Sequence, residues 1–420
     1  MKLSDLLGKT FDCKCGRTHT VPTEYFFYSS DAIERLPEIA NQSISSPAFA
    51  LLADIRTYEA AGRKVEKVLK QSGASVRTLI VPDVNGESPV TDNATLTHIL
   101  NNVPPVEAFV AVGSGVINDL TKWAAHERGK PYFAVPTAAS MNGYASANVS
   151  ATIDDLKVLF KAQACKGVFA VPSIIENAPF DLTSSGLGDV VAKAVSSPDW
   201  KLNQFLFDEY YCQFSVDLLK DLEPIYLDHP EKIREKDSAG IQALFEALLY
   251  SSIAMTITGT SSPASGGEHL FSHTLDMTLA AENRKHDFHG RQVGVGTILS
   301  AALYEKVLAT ENPDFGQMSS QINENFWGSL SQIVGGEYHK KQVKFKIAAE
   351  KLSKGDNWDQ LRSIIQKNLL PAEKLKKCLQ NAGAAHQVGD IRIDDQPADR
   401  DTILKIWIHA NQMLDRFTVL

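Results

Sequence analysis

Between residues 48 and 135, unbroken apolar runs alternate with amphipathic stretches, and this alternation constrains the fold more than any other feature of the chain. A strand reads as a continuous apolar run when helices cover both faces of its sheet. The run at 48–53 has that character, further strands are expected at 77–81, 107–112 and 132–135, and an entry strand at 25–28 precedes them. Between them, 31–40, 58–71 and 91–101 carry apolar residues at helical spacing. Val65, Val68 and Leu69 share one face, and Gly73 stands where that helix should stop. The β-α-β-α order predicts a parallel sheet with helices packed on it. Residues 147–171 predict a hairpin or strand pair followed by a last apolar strand at 167–171.

From about Pro179 the pattern changes. Strand-like runs give way to long helical periodicities, as in 238–256, where Ile241, Leu244, Phe245, Leu248 and Ile253 form one stripe. Similar stripes recur at 292–309, 344–354, 358–369, 371–381 and 401–413. A chain of 420 residues, at about 150 residues per domain, predicts two or three domains. The expected division is an α/β Rossmann-like nucleotide-binding domain over 1–180 and an all-α domain over 181–420. A helix is expected to open at Gly186-Leu187-Gly188, with Asp189 in its first turn and Lys193 one turn on. Asp in that position either favours the helix dipole or is free to act as a ligand.

Net charge is −8, with no stripe dense in Lys or Arg, which argues against nucleic acid or an anionic membrane as the main partner. No apolar run reads as a membrane span and no signal-peptide core is visible, so a cytoplasmic protein is expected. Five cysteines, odd in number and mostly scattered, fit a reducing compartment. Cys13-x-Cys15 with His19 suits either a small accessory metal or a hairpin with free thiols.

Two segments carry chemistry. At 112–119, Gly113-Ser114-Gly115 follows an apolar strand and opens a helix, so the backbone can approach a pyrophosphate at a helix N-terminus; a tight turn without a ligand reads the same way. Asp54, at the end of another strand, is placed either to accept ribose hydroxyls or to cap a helix. The hydroxyl-rich loop 137–146, also at a strand end, is a ligand contact or a solvated loop. Further on, His269 and His273 are four apart and share a helix face, and His289 follows. With an upstream Asp these make a ligand set suited to zinc or another divalent ion; two surface histidines on one face would look alike.

Gly113-Ser-Gly115 with Asp119, Pro136-Thr137-Ala-Ala-Ser140, Gly188-Asp189-x-x-x-Lys193, Ser265-Gly-Gly-Glu-His269-x-x-x-His273 and His289-Gly290 occur in this order. The set resembles the dehydroquinate synthase-like, iron-containing alcohol dehydrogenase superfamily, most of all its glycerol-1-phosphate dehydrogenase branch. The resemblance covers about 48–309. It implies a metal-dependent NAD- or NADP-linked oxidoreductase acting on a small polyol or sugar phosphate, such as dihydroxyacetone phosphate giving sn-glycerol 1-phosphate. It further implies a homodimer or higher homo-oligomer, with the active site in the cleft between the two domains. Asp189, His269 and His289 would bind the metal (zinc, or alternatively iron or nickel), and His273 would relay protons. Gly113, Ser114, Gly115 and Asp119 would meet the pyrophosphate and nicotinamide side of the cofactor, Thr137 and Ser140 its phosphate and ribose, and Asp54 its adenine ribose. Asn142 stands where this branch carries the Asp that meets a substrate hydroxyl; Arg291 replaces a usual Glu, and Ser262 a usual Arg. Arg291 and Lys193 are then the expected anion partners. Two other readings remain: a cyclising lyase of the dehydroquinate synthase type, against which Asp189 in place of Glu argues, and a non-catalytic binding protein, which Asn142 keeps open.

Overall fold

A computed structural model describes residues 3–84, 86–153, 156–316 and 318–420. The chain divides into two compact units, Met1–Gly186 with Asp217–Thr260, and Leu187–Val216 with Ser261–Leu420. The first crossing between them falls after Gly186. The return of 217–260 to the first unit was not foreseen, because helical periodicity does not say which core a helix joins.

The first unit begins with a hairpin of β1 (Thr10–Asp12) and β2 (Thr18–Thr20). Six parallel strands then form one sheet: β3 (Tyr25–Tyr28), β4 (Ala48–Ala53), β5 (Ser75–Ile80), β6 (Ala108–Val112), β7 (Tyr132–Val135) and, after a β8–β9 hairpin (Asn148–Ile153, Leu156–Lys161), β10 (Gly167–Ala170). The order across the sheet is β3-β10-β7-β6-β4-β5. Every residue of β6 and β7 is buried, which explains their unbroken apolar sequence. Phe49, Leu51, Val110, Val112, Phe133 and Phe169 pack with Ile33, Leu36, Val65 and Leu69 into one core. The tip of the expected 147–171 hairpin, residues 154–155, lies outside the described residues.

The helix expected over 58–71 has two parts, a π-helical turn Tyr58–Gly62 and an α-helix Arg63–Gln71. The wide turn brings the Tyr58 ring over Gly62, where a Cβ would collide with it. Helix Ser238–Thr258 is long and apolar enough to cross a membrane, contrary to the expectation that no run reaches that length, yet most of it is buried inside the protein. Its side chains serve the core of a globular unit.

Helix Phe180–Val191 leads into the second unit, which is built mainly of Lys193–Phe207, Gly267–Ala281, His289–Leu308, Ser331–Leu352, Asn357–Gln366, Ala372–Asn381 and Arg400–His409. Val195, Leu202, Tyr304, Leu361, Ile365 and Leu375 form its core. One two-residue hairpin, Arg392–Ile393 with Gln396–Pro397, qualifies the all-α expectation. The helix expected to open at Gly186 in fact begins at Phe180, so Asp189 lies in its last turn. Glycine there marks close packing. A Cβ on Gly188 would fall inside the carbonyl of Gly290, and one on Gly294 would lie 3.2 Å from the Gly188 backbone.

Candidate metal centre and nucleotide-binding turn

In the first unit β4 connects to β5 on one side of the sheet, whereas β6 connects to β7 on the other. Open parallel sheets bind ligands beyond the carboxyl ends of strands at such a reversal. Gly113–Gly115 lies there, directly after β6 and at the start of helix Gly115–Glu127. A Cβ on Gly113 would come within 2.7 Å of the Ile117 side chain, whereas Gly115 has open space beside it. Ser114 precedes the helix without capping it through its side chain, which leaves the first backbone N–H groups for an anion. Thr137 and Ser140 are buried in the loop after β7, and the Tyr144 hydroxyl steadies that loop by donating to the Ala138 carbonyl at 2.5 Å.

Two acidic residues expected at the cofactor prove to be structurally engaged. Asp54 caps the turn after β4: Thr57 N–H donates to its Oδ1 at 2.8 Å, and the Asp54 N–H donates to the Thr57 hydroxyl at 3.0 Å. Its other oxygen lies 3.4 Å from Arg56, whose guanidinium also grips Asp83 at 2.6 and 3.0 Å. Asp119 pairs with the wholly buried Lys122 at 2.8 Å and accepts from the Ser150 N–H at 3.3 Å. Lys122 also donates to the carbonyls of Gly143 and Asn148, so this pair ties the helix to the loop that carries half-buried Asn142. A carboxylate so placed positions the loop beside the nucleotide-binding turn.

In the second unit the structure brings together Asp189, His269 and His289, which offer ligand atoms within 4.8 Å of one another. They come from three helices: the end of Phe180–Val191, the first turn of Gly267–Ala281, and the first residue of His289–Leu308. His269 Nε2 faces Asp189 Oδ1 at 3.5 Å, while its Nδ1 meets Glu268 Oε1 at 2.8 Å. His289 Nδ1 is 2.9 Å from the Ser272 hydroxyl, which donates in turn to Gln292 Oε1 at 2.8 Å. Partners on both Nδ1 atoms orient the two Nε2 atoms, the arrangement that holds histidines on a metal. One carboxylate and two imidazoles in a largely buried pocket therefore fit a divalent ion of the zinc or iron type, with coordination positions left over.

Charge in the cluster agrees. Burial alone would lower the His269 pKa, but the carboxylates of Asp189 and Glu268 outweigh it and raise it to about 9. Burial, reinforced by repulsion from His269 and His273, lowers that of His289 to about 3. A metal bound at His269 at neutral pH would have to displace its proton. Apparent metal affinity should rise about tenfold per pH unit up to a pH of about 9. Zinc titrations against a chromophoric chelator would show this, and a flat profile across neutral pH would contradict it.

His273 stacks on His289, ring centroids 5.2 Å apart, and lies edge-on to His269 at 5.8 Å. Asp276 joins His273 and His289 in a second, overlapping cluster. Glu268 and Asp276 carried no expected role; Asp276 follows His273 by three residues on the same helix face, and that spacing was the available signal. Lys193, half-buried, starts helix Lys193–Phe207 one turn after Asp189. Arg291 does not add an open positive charge. It is buried against Asp287, with Nε 3.0 Å from both carboxylate oxygens, and donates to the Asp390 carbonyl at 2.7 Å.

Comparison with known proteins yields a coherent set. The sequence model of the iron-containing alcohol dehydrogenase family matches residues 28–179. A glycerol-1-phosphate dehydrogenase (NAD(P)+) of Halalkalibacterium halodurans is 32% identical over 315 residues, covering 74% of this chain and 79% of the relative. The enzyme of that name from Pyrococcus furiosus is 37% identical, covering 62% and 72%. That from Geobacillus stearothermophilus is 28% identical, covering 100% and 96%. Among solved structures, glycerol dehydrogenase from Schizosaccharomyces pombe superposes with a TM-score of 0.55 at 17% identity, over 87% of this chain and 95% of that one. An iron-containing alcohol dehydrogenase from Thermotoga maritima gives 0.54 at 14%, over 93% and 98%. These structures share the fold.

Proposed function

The chain belongs to the glycerol-1-phosphate dehydrogenase family of iron-containing alcohol dehydrogenases, and on that premise we propose that it interconverts dihydroxyacetone phosphate and sn-glycerol 1-phosphate with a nicotinamide cofactor. The observation that carries this reading is the Asp189, His269 and His289 cluster. A divalent ion held there, zinc in our reading, would polarise the substrate carbonyl, and reduced nicotinamide would supply the hydride. The chain's own residues do the rest. Glu268 and Ser272 fix the two metal-binding imidazoles through Nδ1. His273, beside both rings, delivers the proton to the carbonyl oxygen. Lys193 meets the substrate phosphate, since Arg291 is committed to Asp287. Asn142 offers an amide to a substrate hydroxyl in place of a charge. The N–H groups at Gly113–Gly115 take the pyrophosphate, with Thr137 and Ser140 alongside.

NADH is the preferred cofactor in this reading. A ribose 2′-phosphate would meet the Asp54 carboxylate, and Arg56, which could have neutralised it, is held by Asp83. The five cysteines are not paired in disulfides, which fits a reducing, cytoplasmic setting.

The test is oxidation of NADH and NADPH by dihydroxyacetone phosphate, with protein loaded separately with zinc, iron and nickel. Metal-dependent turnover, faster with NADH, is expected. Asp54→Ser keeps a capping oxygen but should lower the NADH preference about tenfold. Bound cofactor and metal with no turnover would move the substrate elsewhere, and turnover without net NADH loss would favour the cyclising lyase.

A further inference from the structure

The reaction just described leaves the N-terminal hairpin without a role, although it carries two thiols and a buried imidazole. Its strands are three residues each, and most of their side chains are exposed or half-exposed; His19 is the buried exception, with 1% of its surface accessible. A two-stranded hairpin this short is marginal without a further tie. The turn is tightly specified. Cys13 N–H donates to the Arg17 carbonyl at 3.0 Å, and Gly16 N–H to the Cys13 carbonyl at 2.9 Å. Gly16 has a φ of +85° and no atom within 4 Å of an added Cβ, so glycine serves the backbone conformation and not a packing need. Phe11, paired with His19 across the strands, lies edge-on to the imidazole with centroids 5.7 Å apart and limits its rotation.

The result is a concentration of soft donors. The ligand atoms of Cys13, Cys15 and His19 all lie within 4.8 Å of one another, and Cys15 Sγ is 3.3 Å from His19 Nε2. Around a tetrahedral zinc ion, sulfur–sulfur and sulfur–nitrogen separations are about 3.5–3.8 Å, from bond lengths of about 2.3 and 2.0–2.1 Å. Small side-chain rotations suffice to reach them. We propose that Cys13, Cys15 and His19 form a second, structural zinc site that ties the N-terminal hairpin, separate from the Asp189, His269 and His289 centre in ligand chemistry and in unit. Two thiolates and an imidazole select zinc over the harder ions. On metal binding the thiols release their protons to solvent, and no redox change is involved. The inference does not depend on the proposed reaction.

Cobalt reports the two sites separately, because only this one has sulfur ligands. Protein reconstituted with Co2+ under reductant should show a thiolate-to-cobalt charge-transfer band. The band should persist in His269→Ala and in Cys378→Ser, and vanish in the Cys13→Ser, Cys15→Ser double variant. Zinc analysis should agree: His269→Ala retains zinc, and adding Cys13→Ser and Cys15→Ser removes it. Absence of the band in unsubstituted protein would overturn the proposal even if every variant misfolded. A band of full intensity in the double variant would overturn it too.

Discussion

Substituting His269 with alanine should strip the metal from the second unit and lower kcat/KM by about a thousandfold, the several kcal/mol of charge stabilisation a Lewis acid contributes. The size follows from geometry. Asp189 and His289 alone cannot hold an ion at the same point, and the substitution also leaves Asp189 and Glu268 as buried carboxylates without the imidazole they now share. Glu268→Gln should be milder, since it changes only the group that orients His269. A loss of about 10- to 100-fold in metal affinity is expected, with activity recovered at saturating metal. Atomic absorption on dialysed protein, paired with NADH oxidation rates, separates the two effects. A metal stoichiometry in His269→Ala equal to that of the parent, with activity inside tenfold of it, would remove the histidine from the ligand set.

Gly188→Ala should be nearly as damaging although it touches no ligand. Helices Phe180–Val191 and His289–Leu308 meet backbone to backbone at Gly188, Gly290 and Gly294. A methyl group at 188 must push the Gly290 carbonyl away, and Asp189 and His289 are the next residues along each helix. The expected cost is about 3 kcal/mol, the upper end for overpacking a tight core. Metal affinity should fall with it, because the two ligands separate. Gly336→Ala, inside helix Ser331–Leu352 with no atom within 4 Å of the added Cβ, is the contrast. It should stabilise the protein by about 0.5–1 kcal/mol. Denaturant unfolding and zinc titration on both variants provide the check; a Gly188→Ala protein as stable as its parent would mean the helices can part without loss.

The parallel sheet was legible because burial on both faces writes itself into sequence as unbroken apolar runs, and β3, β4 and β7 fall where those runs lie. The Asp189, His269 and His289 cluster was legible as a grouping because few residue types can ligate a metal. Other features depend on partners that a linear pattern does not reveal. Gly186 and Gly188 resemble a helix start, yet they sit in the later half of a helix because another backbone passes beside them. Asp54 and Asp119 read as carboxylates open to a ligand, and the linear pattern does not reveal that Thr57 and Lys122 also engage them. Arg291 looks like an open cation, although Asp287 four residues earlier on the same helical path was a visible counter-ion. The helix expected at 344–354 starts at Ser331, since exposed Ile333 and Val343 blur its periodicity.

The discontinuous second unit has a consequence for how the protein is made. Asp189 belongs to its first piece, Leu187–Val216, and the two histidines to its second, which resumes at Ser261. On the ribosome the carboxylate emerges early and waits while a segment that folds with the other unit is synthesised. A metal held by the proposed ligands could be enclosed only after His289 has appeared. The ion then closes a long loop in the chain, a constraint whose entropic weight grows with loop length. On the proposed ligand set, metal supplied during synthesis should raise the yield of folded protein.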